Sequence, residues 1–253
     1  MALKDDLVSY WNGSFSGDDA LDVHGSNDGT AINSRVFDAT GKIDKGFDFT
    51  QGNDYINTNL KPVFDDYSIS FWIKDYIIPT AYGRRYFGSM SGSGQSERFA
   101  GEMRSTDEFL WDDRRGGNSV TATTTGGYFD SDVWTHVVVT AQRDGDLKIY
   151  VNGVERASES GIHDSEMNVD ANIFIGNVNG GFQTQPRSMF DEVAIWSRAI
   201  SSSEVTDIYN NGNGLAYSSW DVAAGWTGKI NGVTNPAKIN GIAVANISKV
   251  NGQ

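Results

Sequence analysis

The sequence has no cysteine, which excludes disulfide bridges, thiolate metal ligands and thiol nucleophiles together. That absence leaves the cellular compartment open, because a chain of 253 residues can bury a substantial core without covalent staples. Proline occurs only four times against 29 glycines, a balance that favours many tight turns over stiff linkers. The three histidines, His24, His136 and His163, are too scattered to suggest a histidine metal site, and no Gly-x-Ser-x-Gly elbow is present to hold a nucleophile. Cations are scarce as well: 20 Lys and Arg face 33 Asp and Glu, a formal charge of −13 that repels phosphate backbones and anionic membranes. Nucleic acid is therefore not an expected partner. No run approaches the ~20 apolar residues of a membrane span, so no membrane insertion is expected. The opening Met1-Ala-Leu-Lys-Asp-Asp6 places acids where a secretory signal would be apolar, so any export is expected to use another route.

What is present reads as β structure. From Trp134 to Ala157, β-branched and apolar residues are broken only by Asp144-Gly145 and Asn152-Gly153, both two-residue hairpin signals. Three antiparallel strands are expected, at about 134–143, 146–151 and 154–158. Trp134, His136 and Val138 face one way, and Val137, Val139 and Ala141 the other, so the first strand is expected to lie between two layers. Tyr67, Ile69, Phe71 and Ile73 alternate on one face with Trp72 opposite, marking another core strand. With further candidates at 7–11, 46–49, 55–57, 85–89, 98–104, 109–112, 172–176 and 189–196, about a dozen short strands predict an antiparallel β-sandwich or jelly roll. One short helix is expected: Ser201 and Glu204 have capping-box spacing, Val205, Ile208 and Tyr209 form an apolar stripe, and Asn211-Gly212 stops it. These readings assign residues 1–214 to the sandwich. In residues 215–253, Lys-Ile-Asn-Gly occurs at 229–232 and 238–241 and Lys-Val-Asn-Gly at 249–252, a repeat expected to form short β-arcs that dock on another chain or on the main domain.

Three stretches resemble one family in their order and spacing. They are Tyr67-Ser-Ile-Ser-Phe-Trp-Ile73; Trp134-Thr-His-Val-Val-Val-Thr140 leading into Ile149-Tyr-Val-Asn-Gly-Val154; and Phe190-Asp-Glu-Val-Ala-Ile-Trp196 followed by Ser197-Arg-Ala-Ile-Ser-Ser-Ser-Glu-Val205. Together they resemble the laminin-G-like domains of the concanavalin A-like lectin/glucanase superfamily over about residues 5–214. Val138, Phe190 and Trp196 depart mildly from the family text. The resemblance implies a structural Ca²⁺ clamped between an early loop and the last strand, with Asp22 and Asp191 at the acidic positions; hard carboxylate oxygens suit that ion. The retaining glucanases of the superfamily place two glutamates on one strand, with carboxyl groups about 5–5.5 Å apart. No such string occurs here, and Asp107-Glu108 and Asp112-Asp113 fail its spacing, so no enzyme activity is expected. The tail resembles C-terminal segments of bacteriophage virion proteins.

Sugar recognition requires aromatic faces for C–H stacking together with amides, carboxylates and guanidinia for hydroxyls. Two regions hold that mixture, and the candidate carbohydrate contacts are Tyr82, Arg84, Trp111, Asp112 and Arg114 in one, and Asn179, Phe182 and Gln183 in the other. For Trp111 a core position is the competing reading. The expectation is a non-catalytic lectin-like recognition or adhesion domain of a virion structural protein. It would bind a cell-surface or environmental polysaccharide, contact other virion proteins through the tail and form a homo-oligomer. The expected location is a capsid, tail or appendage surface, or otherwise the extracellular space. The alternatives are a capsid or tail decoration protein with a purely structural role and, behind it, a polysaccharide-degrading enzyme.

Overall fold

A computed structural model describes residues 2–33, 36–50, 54–77, 84–90, 97–104, 107–162, 165–177 and 187–220, with the short stretches 229–230, 233–234, 238–239 and 242–243. The chain divides into two compact units, residues 6–214 and residues 1–5 with 215–253.

The larger unit is an antiparallel β-sandwich. In the first sheet the strand order is Val154–Ser160, Asp146–Val151, Trp134–Ala141, Tyr67–Asp75, Ser188–Trp196, Lys45–Phe49 and Val36–Thr40, with Leu7–Trp11 also paired to Ser188–Trp196. In the second sheet it is Asn118–Thr123, Phe109–Arg115, Arg98–Met103, Arg84–Met90, Phe174–Ile175, Tyr55–Thr58, Gly29–Ile32, Asp19–Ala20 and Phe15–Ser16. The inner faces meet through aromatics. Phe71 of the first sheet stacks on Phe87 of the second at 5.9 Å, and within the second sheet Phe99 stacks on Trp111 at 5.8 Å. Each fully buried ring of this kind contributes about 1.5–3 kcal/mol of burial, and each aromatic pair roughly 0.5–1.5 kcal/mol more.

Period-two alternation decides which face each residue takes. Val137, Val139 and Ala141 enter the core, as do Tyr67, Ile69, Phe71 and Ile73. On the other face of the first sheet, Trp72 and His136 lie 4.9 Å apart and both stack on Tyr209. That tyrosine ends the Ser202–Tyr209 helix, which closes its N-terminus with the Ser201/Glu204 capping box and buries Val205 and Ile208. The hairpin at Asn152-Gly153 has positive φ at both residues, as a type I′ turn requires. Asp144-Gly145 differs from expectation. Only Asp144 is left-handed, and the turn closes by the Gly145 N–H donating to the Gln142 carbonyl at 2.9 Å, which makes a longer loop.

In the smaller unit the Lys4 ammonium sits 4.0 Å above the Tyr217 ring, and the Trp220 indole N–H donates to the Leu215 carbonyl at 2.8 Å. Within the tail, two short antiparallel strand pairs are described, Lys229–Ile230 with Val233–Thr234 and Lys238–Ile239 with Ile242–Ala243.

Candidate functional site

Residues directly opposite each other on antiparallel neighbours share a face, so register maps the outer surface of the second sheet row by row. One row runs Phe174, Gly88, Ala100, Asp112, Thr121. On one side of it lies the row Met90, Arg98, Arg114, Ser119, and on the other the row Arg85, Glu102, Leu110, Thr123. The small residues at the middle of the first row leave a trough across the strands. Gly88 is held to glycine by its backbone: φ is +147°, and a Cβ there would lie 2.2 Å from the Phe99 carbonyl oxygen. A cavity of about 180 Å³ opens in this trough, floored by Ala100 and Leu110 and walled by Arg85, Arg98, Glu102, Arg104, Asp112 and Thr121.

Charge is arranged in pairs along these walls. Arg98 forms an ion pair with Asp112, which also accepts from the Ser119 hydroxyl at 2.6 Å and the Thr121 hydroxyl at 3.3 Å. Arg85 pairs with Glu102 at 3.4 Å across the strands. Arg104, one residue past the end of the Arg98–Met103 strand, is exposed and lines the same cavity, and no described residue pairs with its guanidinium. An arginine fork presents parallel N–H donors, hydroxyls both donate and accept, and the floor offers apolar surface; together these recognise a polar ligand with a C–H face. Cleavage of a glycosidic bond needs one of two carboxyl groups to deliver a proton. Both carboxylates in the trough are instead committed to arginine ion pairs.

The adjacent inward-facing residues form a separate network. Tyr67 donates to Asp113 at 2.8 Å, Trp111 donates to the Tyr67 hydroxyl at 2.9 Å, and Arg115 grips Asp113 through Nε and Nη2 at 2.9 and 3.1 Å. Burial pushes the Asp113 carboxyl up against the opposing pull of Arg115, and it pushes the Tyr67 phenol well above its ordinary value.

Of the residues singled out from sequence, Asp112 and Arg114 lie on the trough face. Trp111 does not: it is fully buried among Phe87, Phe99 and Tyr67, so no ligand reaches it. Alternation places it on the inner face of the strand that presents Asp112 outward. The same alternation turns Asp113 and Arg115 inward, and both are buried in the core. Arg84 lies outside the trough and donates to the Ile77 carbonyl at 2.8 Å. Tyr82, Asn179, Phe182 and Gln183 lie outside the described residues. Arg85, Arg98, Glu102, Arg104 and Thr121 were not anticipated. For Arg98, Glu102 and Arg104 the signal is the charge at even-numbered positions of Arg98-Phe-Ala-Gly-Glu-Met-Arg104, interleaved with Phe99, Gly101 and Met103 on the core side.

The two acids expected to hold Ca²⁺ belong to different networks. Asp22 accepts backbone N–H groups from Tyr10 at 2.9 Å, His24 at 3.1 Å, Gly25 at 2.9 Å and Asn27 at 3.1 Å. Asp191 accepts from Ile43 and Glu192, each at 2.8 Å. Calcium takes about six to eight oxygen ligands, whereas the carboxylate of Asp22 is already filled by amide donors. Among the described residues no group of three or more His, Asp or Glu is placed to hold a metal ion. The donor set therefore does not fit calcium, and Asp22 instead organises the early loop. His136 is likewise structural. It shares a 2.9 Å hydrogen bond with Ser70, and burial lowers its pKa to about 3.

Comparison with known proteins agrees with this architecture. Residues 50–206 match a laminin-G family model described as the concanavalin A-like lectin/glucanases superfamily. No curated protein sequence matches the chain. Among solved structures, the binding domain of Paraclostridial Mosquitocidal Protein 1 superposes with a TM-score of 0.65 at 22% identity, covering 83% of this chain and 53% of that one. The receptor binding domain of botulinum neurotoxin D gives 0.62 at 16% identity, covering 82% of this chain and 53% of its own. The serotype D ligand binding domain in complex with N-acetylneuraminic acid gives 0.61 at 16% identity, with 81% and 51% covered. The chain thus spans about half the length of these toxin domains.

Proposed function

This chain belongs to the concanavalin A-like lectin/glucanase superfamily, and from that membership we propose that it is a non-catalytic carbohydrate-recognition domain whose ligand lies in the trough on the outer face of the second sheet. The observation that carries this reading is the trough itself: a floor of small and apolar residues beneath paired arginines, carboxylates and a hydroxyl, on a backbone locked by an aromatic core. Pre-positioned polar groups around an apolar floor are what a saccharide needs, because hydroxyls and a C–H face must be satisfied together. Support also comes from the fold neighbours, which are binding domains, one of them solved with a sugar acid.

A glycan array probed with the intact chain and with Ala100→Phe tests it. The added ring fills the trough from an outward-facing position, so binding should disappear while the melting temperature holds. Retained binding by a folded Ala100→Phe chain would move the ligand elsewhere, and no binding at millimolar sugar would end the carbohydrate reading.

The paired strands of the tail support a second element of the proposal, attachment of this domain to a larger assembly such as a virion surface. Removing 215–253 should leave a folded sandwich that no longer joins oligomers or particles. Assembly of the truncated chain would refute that role, and assembly without any sugar binding would favour a purely structural decoration protein.

A further inference from the structure

The trough reverses the sign of the molecule around it. The chain carries a formal −13, yet the cavity is lined by three arginines, Arg85, Arg98 and Arg104, against two carboxylates, Glu102 and Asp112. Such a local excess attracts an anion against the overall field. The pairing also shows where the anion goes. Arg98 is taken up by Asp112, which two hydroxyls hold in place, so this pair is a fixed wall. On the other side Arg85 lies directly across the strand pair from Glu102, and Arg104, just past the end of that strand, lines the same cavity. An arginine fork binds a planar carboxylate through two parallel N–H donors. The rest of the cavity suits a sugar ring: Glu102 and Thr121 face hydroxyls, while Ala100 and Leu110 face C–H groups. At about 180 Å³ the space is smaller than the roughly 300–1,000 Å³ of sites for drug-sized ligands, which fits one ring rather than a chain segment.

Resting on the carbohydrate reading above, we infer that the trough selects a carboxylated sugar residue, a uronic or sialic acid, with its carboxylate docked on Arg104 and Arg85. The charge pattern favours this over a neutral sugar. A neutral ring would leave the Arg104 fork unused and the positive excess uncompensated.

Calorimetric titration of the intact chain at fixed ionic strength tests the inference with paired probes: trigalacturonate against its methyl ester, and sialyllactose against lactose. A hydrogen bond to a charged group contributes about 1.5–3 kcal/mol, so at least one acid should bind tenfold to a hundredfold more tightly than its neutral partner. Arg104→Ala, at an exposed position, should remove that preference without changing the melting temperature, and Arg104→Lys should restore it only in part because the fork is lost. Whichever acid shows the preference identifies the source of the carboxylate. Equal binding of acid and neutral forms, abolished by Ala100→Phe, would overturn the acidic selection and keep the carbohydrate site. Dextran sulfate binding as tightly as the preferred acid, with the same loss in Arg104→Ala, would reduce the effect to unspecific charge and also overturn it. Binding of none of the probes would overturn the inference together with the reading beneath it.

Discussion

Glu192 lies in the Ser188–Trp196 strand where pairing with Tyr67–Asp75 slips by a bulge between Asp191 and Ala194, and its φ is +52°. The residue is 7% exposed, and among the described residues its Oε2 has no hydrogen-bond partner. Burial pushes the carboxyl up from 4.5 to about 8. Between those two values the folded chain keeps the proton that the unfolded chain releases, so the native state binds more protons and stability falls as pH rises through that window. Below about 4.5 both states are protonated and above about 8 both are ionised, so the loss is confined between them. At about 1.4 kcal/mol per pH unit the full displacement corresponds to at most about 5 kcal/mol. Relaxation and water entry lower this to a working expectation of about 2–5 kcal/mol, a large share of the ~5–15 kcal/mol that holds a typical domain.

Glu192→Gln keeps the shape and removes the ionisation. Urea denaturation followed by tryptophan fluorescence, at pH 4.5, 6, 7.5 and 9 and constant ionic strength, should give nearly equal stabilities at pH 4.5. By pH 9 the variant should be about 2–5 kcal/mol more stable than the parent. Comparing the two proteins cancels the self-repulsion that a chain of formal charge −13 builds up as pH rises. A difference that stays constant within about 0.5 kcal/mol over the whole range would show that this carboxyl titrates as it does in the unfolded chain, and the argument from burial would fail.

Trp111→Ala should cost about 3–5 kcal/mol, seen as a large drop in melting temperature, because it empties the core and strips the Tyr67 hydroxyl of a donor; a variant of unchanged stability that had lost only sugar binding would restore Trp111 to the ligand site. Asp22→Ala should cost about 3 kcal/mol or more, since four backbone N–H groups lose their acceptor. The parent chain should melt at the same temperature in EDTA and in millimolar CaCl₂, and a rise of several degrees with calcium that Asp22→Asn abolishes would show that Asp22 does coordinate the ion. Ser201→Ala should destabilise by about 1 kcal/mol through loss of the capping box, measured by thermal or urea unfolding.

The strands that build the sandwich were legible wherever apolar residues recur at period two, on one face in Tyr67–Asp75 and on both in Trp134–Ala141, because that period assigns faces without knowledge of the partner strand. The capping box was legible because its chemistry is local. The trough was not. It is made from four strands, and its opening depends on Gly88, Ala100 and Asp112 falling into one row, a relation that register creates and no single segment contains. Trp111 misled because an aromatic between charged residues looks like a sugar platform, while the same alternation that exposes Asp112 turns the indole inward. Asp22 misled in the opposite way: an acid in a polar loop matches a metal position, but its oxygens meet the amides of that loop first.

The inner and outer faces of the second sheet are therefore one device. A slip of a single residue in the Arg98–Met103 or Phe109–Arg115 strand would turn Phe99 and Trp111 to the outer surface and bring Arg98 and Asp112 into the core, at a cost far above any gain in the trough. The aromatic stack excludes that slip, and the Tyr67–Asp113–Arg115 network penalises it again with a buried charge that has one matching position. Gly101 tightens the fit, since a Cβ there would approach the Trp111 ring to 3.0 Å. Register fixed by packing holds Arg85, Arg98 and Asp112 on the outer face with little freedom left to lose on binding. A small cavity with few contacts can select its ligand on those terms, because less of the binding energy is spent on ordering the site.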